Sequence, residues 1–416
     1  MKLMIPVAAT SLVVFFIGLW FFNPPRGPEL EVDPHEKGFV EEVNGTTVLH
    51  VKGSGYEMGY QQGALLKERA QAAINGFDKL LDLAEEETGV PRFVFGLVLD
   101  AVYRLCHPYI PERFQREMEG LADSSGTDLR TIRRAQVVSV VTERACSAFA
   151  VFGKATKDGK LYHGRNFDWV TGAGIEKTAI TILYEPDGGI PFASSGYLGY
   201  IGALSGMNME GISISQIGAI TKDGRYSGIP LALLLRRILE EAHDLDEATD
   251  VIENARRTVG YNYVVADGDV PDARAYETTA RHCVVFGPND PKETVEYAIP
   301  LEDAVFRADE AMDPTVRSLQ ECANAPDLPY GSNSYDHRYK GMATRIQEHY
   351  GAIDQPAALD ILKAVAMRGV NLHSVLYNST DREMWVAHAK DDVDAWKTEY
   401  VHYDLKRLFT PPPERK

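Results

Sequence analysis

The chain has 416 residues, 44% hydrophobic and 25% charged, with 43 Lys and Arg against 60 Asp and Glu and a formal net charge of −17. This is an ordinary globular composition, long enough for one large domain or two. The acid excess, with no long basic stretch or zinc-knuckle spacing, argues against nucleic acid as a partner. Cys106, Cys146, Cys283 and Cys322 form no C-x-x-C pair, which argues against a disulfide scaffold or a structural zinc site.

Leu3 to Phe22 runs without a charge, and about 20 apolar residues cross a hydrocarbon core. The run ends in Trp20-Phe21-Phe22, poor for cleavage, although Ala8-Ala9 lies inside it, so an uncleaved anchor is expected over a cleaved signal peptide. The globular part is expected outside the cytoplasm, anchored to a membrane, or secreted or periplasmic if the signal is removed. There Cys283 and Cys322 can pair. Residues 23–39 are Pro-rich and charged, as in a tether.

Val40 to Val51 has strand character around Thr46-Thr47-Val48-Leu49. From Tyr56 to Leu83 apolar residues recur at helical spacing. Gly55, Gly59 and Gly63, four apart, share one helix face and permit close backbone approach. Pro91–Tyr109, Pro111–Ala122 and Asp128–Val138 also read as helices, with Pro91 and Pro111 in first-turn positions. Residues 40–145 form a mainly helical segment without a catalytic constellation.

At Cys146 the period changes. Ser147 to Phe152 is short and apolar, Lys154 to Lys160 is polar and turn-forming, and Leu161 to Trp169 returns. A loop centred on Lys157 sets Asp168 opposite Cys146. One centred on Asp158-Gly159, the better two-residue turn, misses by about three residues and reverses the face. Cys146 is the candidate nucleophile, since thiolates attack and nearby cations lower a thiol pKa. Arg165 supplies such a cation. Cleavage between Ala145 and Cys146 would free an α-amine, ordinarily titrating near 7.7–8.0, for Asp168 to orient. A Cys/His pair is the competing use of the thiol: His163 lies in the same hairpin, while His107, His243, His282, His337, His349 and His373 lie elsewhere, none in a local motif.

Pro230–His243 is a strongly amphipathic helix and Asp246–Arg256 a second. Lys340–Tyr350 and Pro356–Met367 form another helical pair, and residues 410–416 are a Pro-rich tail. Asn44-Gly-Thr and Asn378-Ser-Thr are glycosylation sequons.

Cys146-Ser-Ala-Phe followed by Gly159-Lys-Leu-Tyr-His-Gly-Arg165-Asn-Phe-Asp168-Trp resembles the start of the mature chain in N-terminal-nucleophile amide hydrolases. It is most similar to the autoproteolytic acyltransferase/hydrolases related to acyl-coenzyme A:6-aminopenicillanic acid acyltransferase. Choloylglycine hydrolase, acid ceramidase and N-acylethanolamine acid amidase are more distant. Gly53-Ser-Gly-Tyr-Glu-Met-Gly-Tyr-Gln-Gln-Gly63, Gly206-Met-Asn208-Met-Glu-Gly211, Tyr261-Asn262 and Gly331-Ser-Asn333-Ser-Tyr-Asp-His337 resemble further family segments in order.

The resemblance implies an α+β, four-layer αββα sandwich of two antiparallel sheets between helical layers. The catalytic domain spans 146–409 after the 40–145 prosegment, and residues 1–22 are the anchor or signal. It implies that Cys146 is nucleophile and base, that Arg165 and Asp168 polarise and orient it, that Asn333 donates to the oxyanion, and that Arg345 supports the site. No cofactor or metal is implied. A second oxyanion asparagine, carried by choloylglycine hydrolases, is missing near Gly218-Ala219; a backbone N–H or Gln216 takes its place. The implied substrate is a small N-acyl amide, and the reaction is hydrolysis of a linear amide. Transfer of the acyl group to an amine, and a non-catalytic binding module that keeps the fold, are the alternatives.

Overall fold

The computed structural model describes residues 24–141, 145–169, 174–219, 221–320 and 338–410. The expected membrane helix, Cys322, Asn333 and the tail beyond Thr410 lie outside them. Among the described residues no helix is long and apolar enough to cross a membrane.

The segment before Cys146 begins with strands β1 (Phe39–Val43) and β2 (Thr46–Gly53). Helix α1 (Gly55–Leu65) then starts on a capping box, Ser54 exchanging bonds with Glu57. The helix read from Tyr56 to Leu83 breaks at Leu66 (φ −126°, ψ 40°), and α2 (Lys67–Thr88) follows. Helices α3 (Arg92–Cys106), α4 (Glu112–Ser125) and α5 (Leu129–Val137) complete the layer. The spaced glycines have a packing cause. A Cβ on Gly55 would lie 2.0 Å from the Arg113 carbonyl oxygen, and one on Gly59 2.0 Å from that of Glu117. Helix α1 therefore lies backbone to backbone on α4, a distance only glycine permits.

After Cys146 come β3 (Ala145–Gly153), β4 (Gly159–Asp168), β5 (Ala179–Pro186), β6 (Phe192–Tyr197), β7 (Ser205–Asn208) and β8 (Ile212–Gly218). Helices α6 (Leu231–Glu241) and α7 (Leu245–Asn254) lead to β9 (Tyr261–Asp267), β10 (Asp272–Thr278), β11 (Cys283–Phe286) and β12 (Ala304–Arg307). Helices α8 (Lys340–Glu348) and α9 (Gln355–Val365) precede β13 (Asn371–Asn378), β14 (Glu383–His388) and β15 (Val401–Asp404).

One sheet has nine strands, ordered β1-β2-β5-β6-β7-β8-β9-β10-β11, and the other six, ordered β12-β3-β4-β13-β14-β15. Strands β3 and β4 pack against β8 and β9 across the two sheets, α9 covers β4 and β13, and α6 and α7 cover β7 to β9. This is the expected order of layers. Two features correct the expectation. The pairing of β2 with β5 is parallel, so the larger sheet is mixed. The segment before Cys146 also supplies the edge strand β1 and its neighbour β2 to that sheet, in addition to its helical layer. A fully buried cluster ties the two parts further. Arg236 on α6 pairs with Glu117 on α4 at 2.7 Å and with Glu240 at 2.8 Å. Of the two sequons, Asn378 is buried, with its amide on Asp381, whereas Asn44 is exposed.

Candidate active site

The β3–β4 register decides which side chains meet. Cys146 pairs with Phe167, Ala145 with Asp168 and Ala148 with Arg165, with a register shift between Val151 and Gly153. Neither loop centre read from the sequence holds: at the loop Gly153 pairs with Gly159, centred on Thr156, and beyond the register shift the pairing still stands one residue from the Lys157-centred arrangement. Directly opposed residues share a face and faces alternate along a strand. Cys146, Phe167 and Arg165 therefore point between the sheets, while Asp168 shares the other face with Ala145.

Arg165 is fully buried. Its Nη2 donates to Cys146 Sγ at 3.5 Å, its Nη1 to Ser205 Oγ at 2.6 Å and to His373 Nε2 at 3.0 Å, and its Nε to the Gln216 carbonyl at 3.3 Å. Gln216 Nε2, from the facing sheet, approaches the same sulfur at 3.7 Å. Burial pushes the Cys146 thiol up and the Arg165 charge opposes it. The thiol thus sits between two donors in a dry interface. Among the described residues no histidine is seen bonded to the Cys146 thiol. His163 spends its two ring nitrogens on Ser213 Oγ at 2.8 Å and Ser215 Oγ at 2.7 Å, and burial pushes it down to about 3. His373 stands behind Arg165, with Tyr197 OH on its Nδ1 at 3.0 Å.

Asp168 Oδ1 accepts from Asn371 Nδ2 at 2.8 Å and from the Met367 N–H at 3.3 Å. Its Oδ2 is buried with no hydrogen-bond partner among the described residues. Burial pushes this carboxyl up to about 7, against the pull of Arg338 and those two bonds.

Among the described residues Arg345 makes no bond to Cys146, Arg165 or Asp168. It lies on α8, where its Nη1 donates to the Gly341 carbonyl of its own helix at 3.1 Å. A second arginine, Arg338, holds the Cys146 main chain: its Nη1 donates to the Cys146 carbonyl at 2.6 Å and its Nη2 pairs with Asp309 Oδ2. Asp309 Oδ1 in turn accepts the Cys146 N–H at 3.4 Å. Sequence reasoning missed both. Arg338 lies five residues past Asn333, one residue beyond the Gly331–His337 segment already singled out, but nothing in its spacing separates it from Arg345. Asp309 lies in no motif.

A pocket of about 580 Å³ reaches Phe167, the residue paired with Cys146, while Cys146 itself is not in its lining. Phe167 forms part of its wall with Ile74, Phe77, Ile132, Tyr197 and Leu204, and Arg69, Lys79, Glu86 and Lys177 also border it. An apolar interior with a few charged groups suits a small molecule with a hydrocarbon part. Ile74 and Phe77 come from α2 and Ile132 from α5, so the segment before Cys146 forms one side of the pocket. Among the described residues no cluster of His, Cys, Asp or Glu is built to hold a metal ion.

Residues 154–285 match the family model for acyl-coenzyme A:6-aminopenicillanic acid acyl-transferase. Over this stretch, about a third of its length, the chain is similar to that acyl-transferase family. It is 25% identical over 417 residues to protein dcd1B of Dictyostelium discoideum, covering 90% of this chain and 77% of that one. It is 24% identical over 189 residues to the N-acylethanolamine-hydrolyzing acid amidase of Rattus norvegicus, covering 42% of this chain and 49% of that one. Among solved structures, the Caenorhabditis elegans ortholog of that amidase is similar with a TM-score of 0.40 and 16% identity, covering 61% of this chain and 98% of that one.

Proposed function

We propose that the protein is a self-processing cysteine amidohydrolase. It cuts itself between Ala145 and Cys146, then cleaves the linear amide of an N-acyl substrate through an acyl-enzyme on Cys146. The observation that carries this reading is the pair of donors on one buried thiol, Arg165 Nη2 and Gln216 Nε2; Phe167, paired with Cys146, also walls an apolar pocket. A cation at the sulfur favours the thiolate. The freed α-amine is the base that takes the thiol proton. The thiolate attacks the substrate carbonyl, the amine leaves with that proton, and water releases the acid. Asn333 and Gln216 are proposed donors to the developing oxyanion, and losing one such donor typically costs ~2.7–4 kcal/mol in the transition state. Arg338, on the Cys146 carbonyl, is proposed in the supporting role first expected of Arg345.

The substrate class follows from the pocket: an acyl chain among the apolar side chains, with its amide turned toward Cys146. The apolar run at Leu3–Phe22 is proposed to hold the domain at a membrane. Consistent with a short tether, the Gly27 N–H bonds to Glu119 on α4 at 3.2 Å.

N-terminal sequencing of the expressed protein tests the proposal. A fragment beginning at Cys146 is expected, absent in Cys146→Ala and slow to form in Cys146→Ser, with acyl-amide hydrolysis in the cut form only. A wild-type chain that stays whole and inactive refutes it. Product analysis with added amines separates hydrolysis from acyl transfer.

A further inference from the structure

Self-cleavage has a charge requirement that neither Arg165 nor the thiol meets. In the first step a bond forms between Cys146 Sγ and the carbonyl carbon of Ala145. The bond from that carbon to the Cys146 nitrogen breaks, and the thiol proton ends on the nitrogen as a neutral amine. Water then splits the thioester into a free thiol and the Ala145 acid, whose proton passes to the amine and leaves a carboxylate. Across this sequence the nitrogen changes from a neutral amide to an ammonium. An anion already standing at the nitrogen stabilises that change without reorganisation.

We propose that Asp309 is this anion, holding the Cys146 nitrogen during self-cleavage and afterwards as the α-amine base of the mature enzyme. The proposal rests on the self-processing reading above and adds a residue to it.

Three observations carry it. The first is contact: Asp309 Oδ1 accepts the Cys146 N–H at 3.4 Å. The second is how firmly Asp309 is held. Strand β12 pairs with β3, Arg307 opposite Ala148, and two further residues along both strands bring Asp309 to Cys146. The Asp309 carbonyl accepts from Gln320 Nε2 at 2.9 Å and from Asn262 Nδ2 at 3.4 Å, and Asn262 also holds the Ala308 carbonyl at 3.0 Å. This gives a purpose to Asn262, which stands in a family-like segment and otherwise has no place in the chemistry. The third is the bridge through Arg338, which donates to Asp309 and to the Cys146 carbonyl. Asp309 and Arg338 thus grip the nitrogen and the carbonyl of one residue, fixing the direction of the nitrogen relative to Sγ.

The charged groups around the nitrogen are Asp309 from the end of β12, Arg338 entering α8, and Asp168 and Arg165 from β4. Glu310 acts on Arg338 from beside Asp309. Asp168 reaches from the Ala145 face and is buried and pushed toward its protonated form in the uncut chain. Asp309 is half-buried and paired with Arg338, so it is the group that brings negative charge to the nitrogen before the bond breaks. A carboxylate this close raises an amine's pKa. A mature enzyme that needs the neutral amine therefore gains activity as pH rises through that raised value, and removing the charge moves this limb down.

The test uses the full-length protein. Asp309→Asn keeps an oxygen acceptor and removes the charge. Cleavage should slow at least tenfold, and the acid limb of kcat/KM in the fraction that does mature should fall by about one pH unit or more. Asp309→Glu restores the charge and the pairing with Arg338. It should cleave within a few-fold of wild type and keep the wild-type limb, and it carries the test if the asparagine variant does not fold. Wild-type cleavage by Asp309→Asn, a slower rate with an unmoved limb, or a limb in Asp309→Glu displaced by a full unit each overturns the proposal. A wild-type chain that never cuts refutes self-processing itself, a separate result.

Discussion

Asp168→Asn should leave the protein inactive yet more stable above neutral pH. In the uncut chain Asp168 is fully buried, one carboxyl oxygen is held by Asn371 and Met367, and the other is unpartnered. Burial raises its pKa to about 7, against an ordinary value near 3.9. Between those values the folded chain holds a proton that the unfolded chain has released, so stability falls as pH rises. The contribution is whole below about pH 4, shrinks by about 1.4 kcal/mol per unit, and is gone above about 7, a total near 4 kcal/mol. Asparagine does not titrate, so its curve lacks this decline. Its amide sets N–H groups where Oδ2 had no partner, at a cost of about 1–3 kcal/mol at every pH. The variant should therefore be the less stable protein near pH 4 and the more stable by roughly 1–3 kcal/mol above pH 7. Urea unfolding on a Cys146→Ala background, where the chain stays whole, measures the difference at several pH values, and other titrations cancel. A difference that does not change with pH refutes the protonated, buried state of Asp168.

Two further changes probe the elements around the site. Gly59→Ala sets a Cβ 2.0 Å from the Glu117 carbonyl oxygen; overpacking of about 1–3 kcal/mol exceeds the gain in helix propensity, so thermal melting should begin a few degrees lower, and an unchanged or higher midpoint would mean that α1 and α4 are not this close. Ala135→Phe narrows the pocket from α5. The ratio of kcat/KM for long over short acyl amides should fall about tenfold or more, the scale of one to three kcal/mol that a hydrophobic pocket discriminates, while self-cleavage of the chain stays at the wild-type rate.

What could be read from the chain, and what could not, divides by the distance over which the information acts. Helix α6 announces itself locally, with Pro230 before it and an apolar face in LALLLRRILEE at the helical period. The glycine spacing in α1 predicted a close backbone neighbour without naming α4. Arg165 and Asp168 were found because they share a hairpin with Cys146, yet their facing was not, because the β3–β4 register shifts between Val151 and Gly153 and a single step reverses every side chain. Asp309 and Arg338 lie 163 and 192 residues from Cys146. They meet it only because β12 pairs with the far edge of β3 and α8 begins beside that edge. No local pattern reports such a meeting, and a spacing rule carried from relatives chose Arg345, seven residues and two helical turns away. The thiol face of Cys146 was therefore readable from one hairpin, whereas its main-chain face is assembled by two distant elements. If cleavage turns a main-chain nitrogen into a base, the groups on that second face govern whether the bond breaks and where the amine titrates. A variant series confined to the hairpin would alter the sulfur and leave that half of the chemistry untouched.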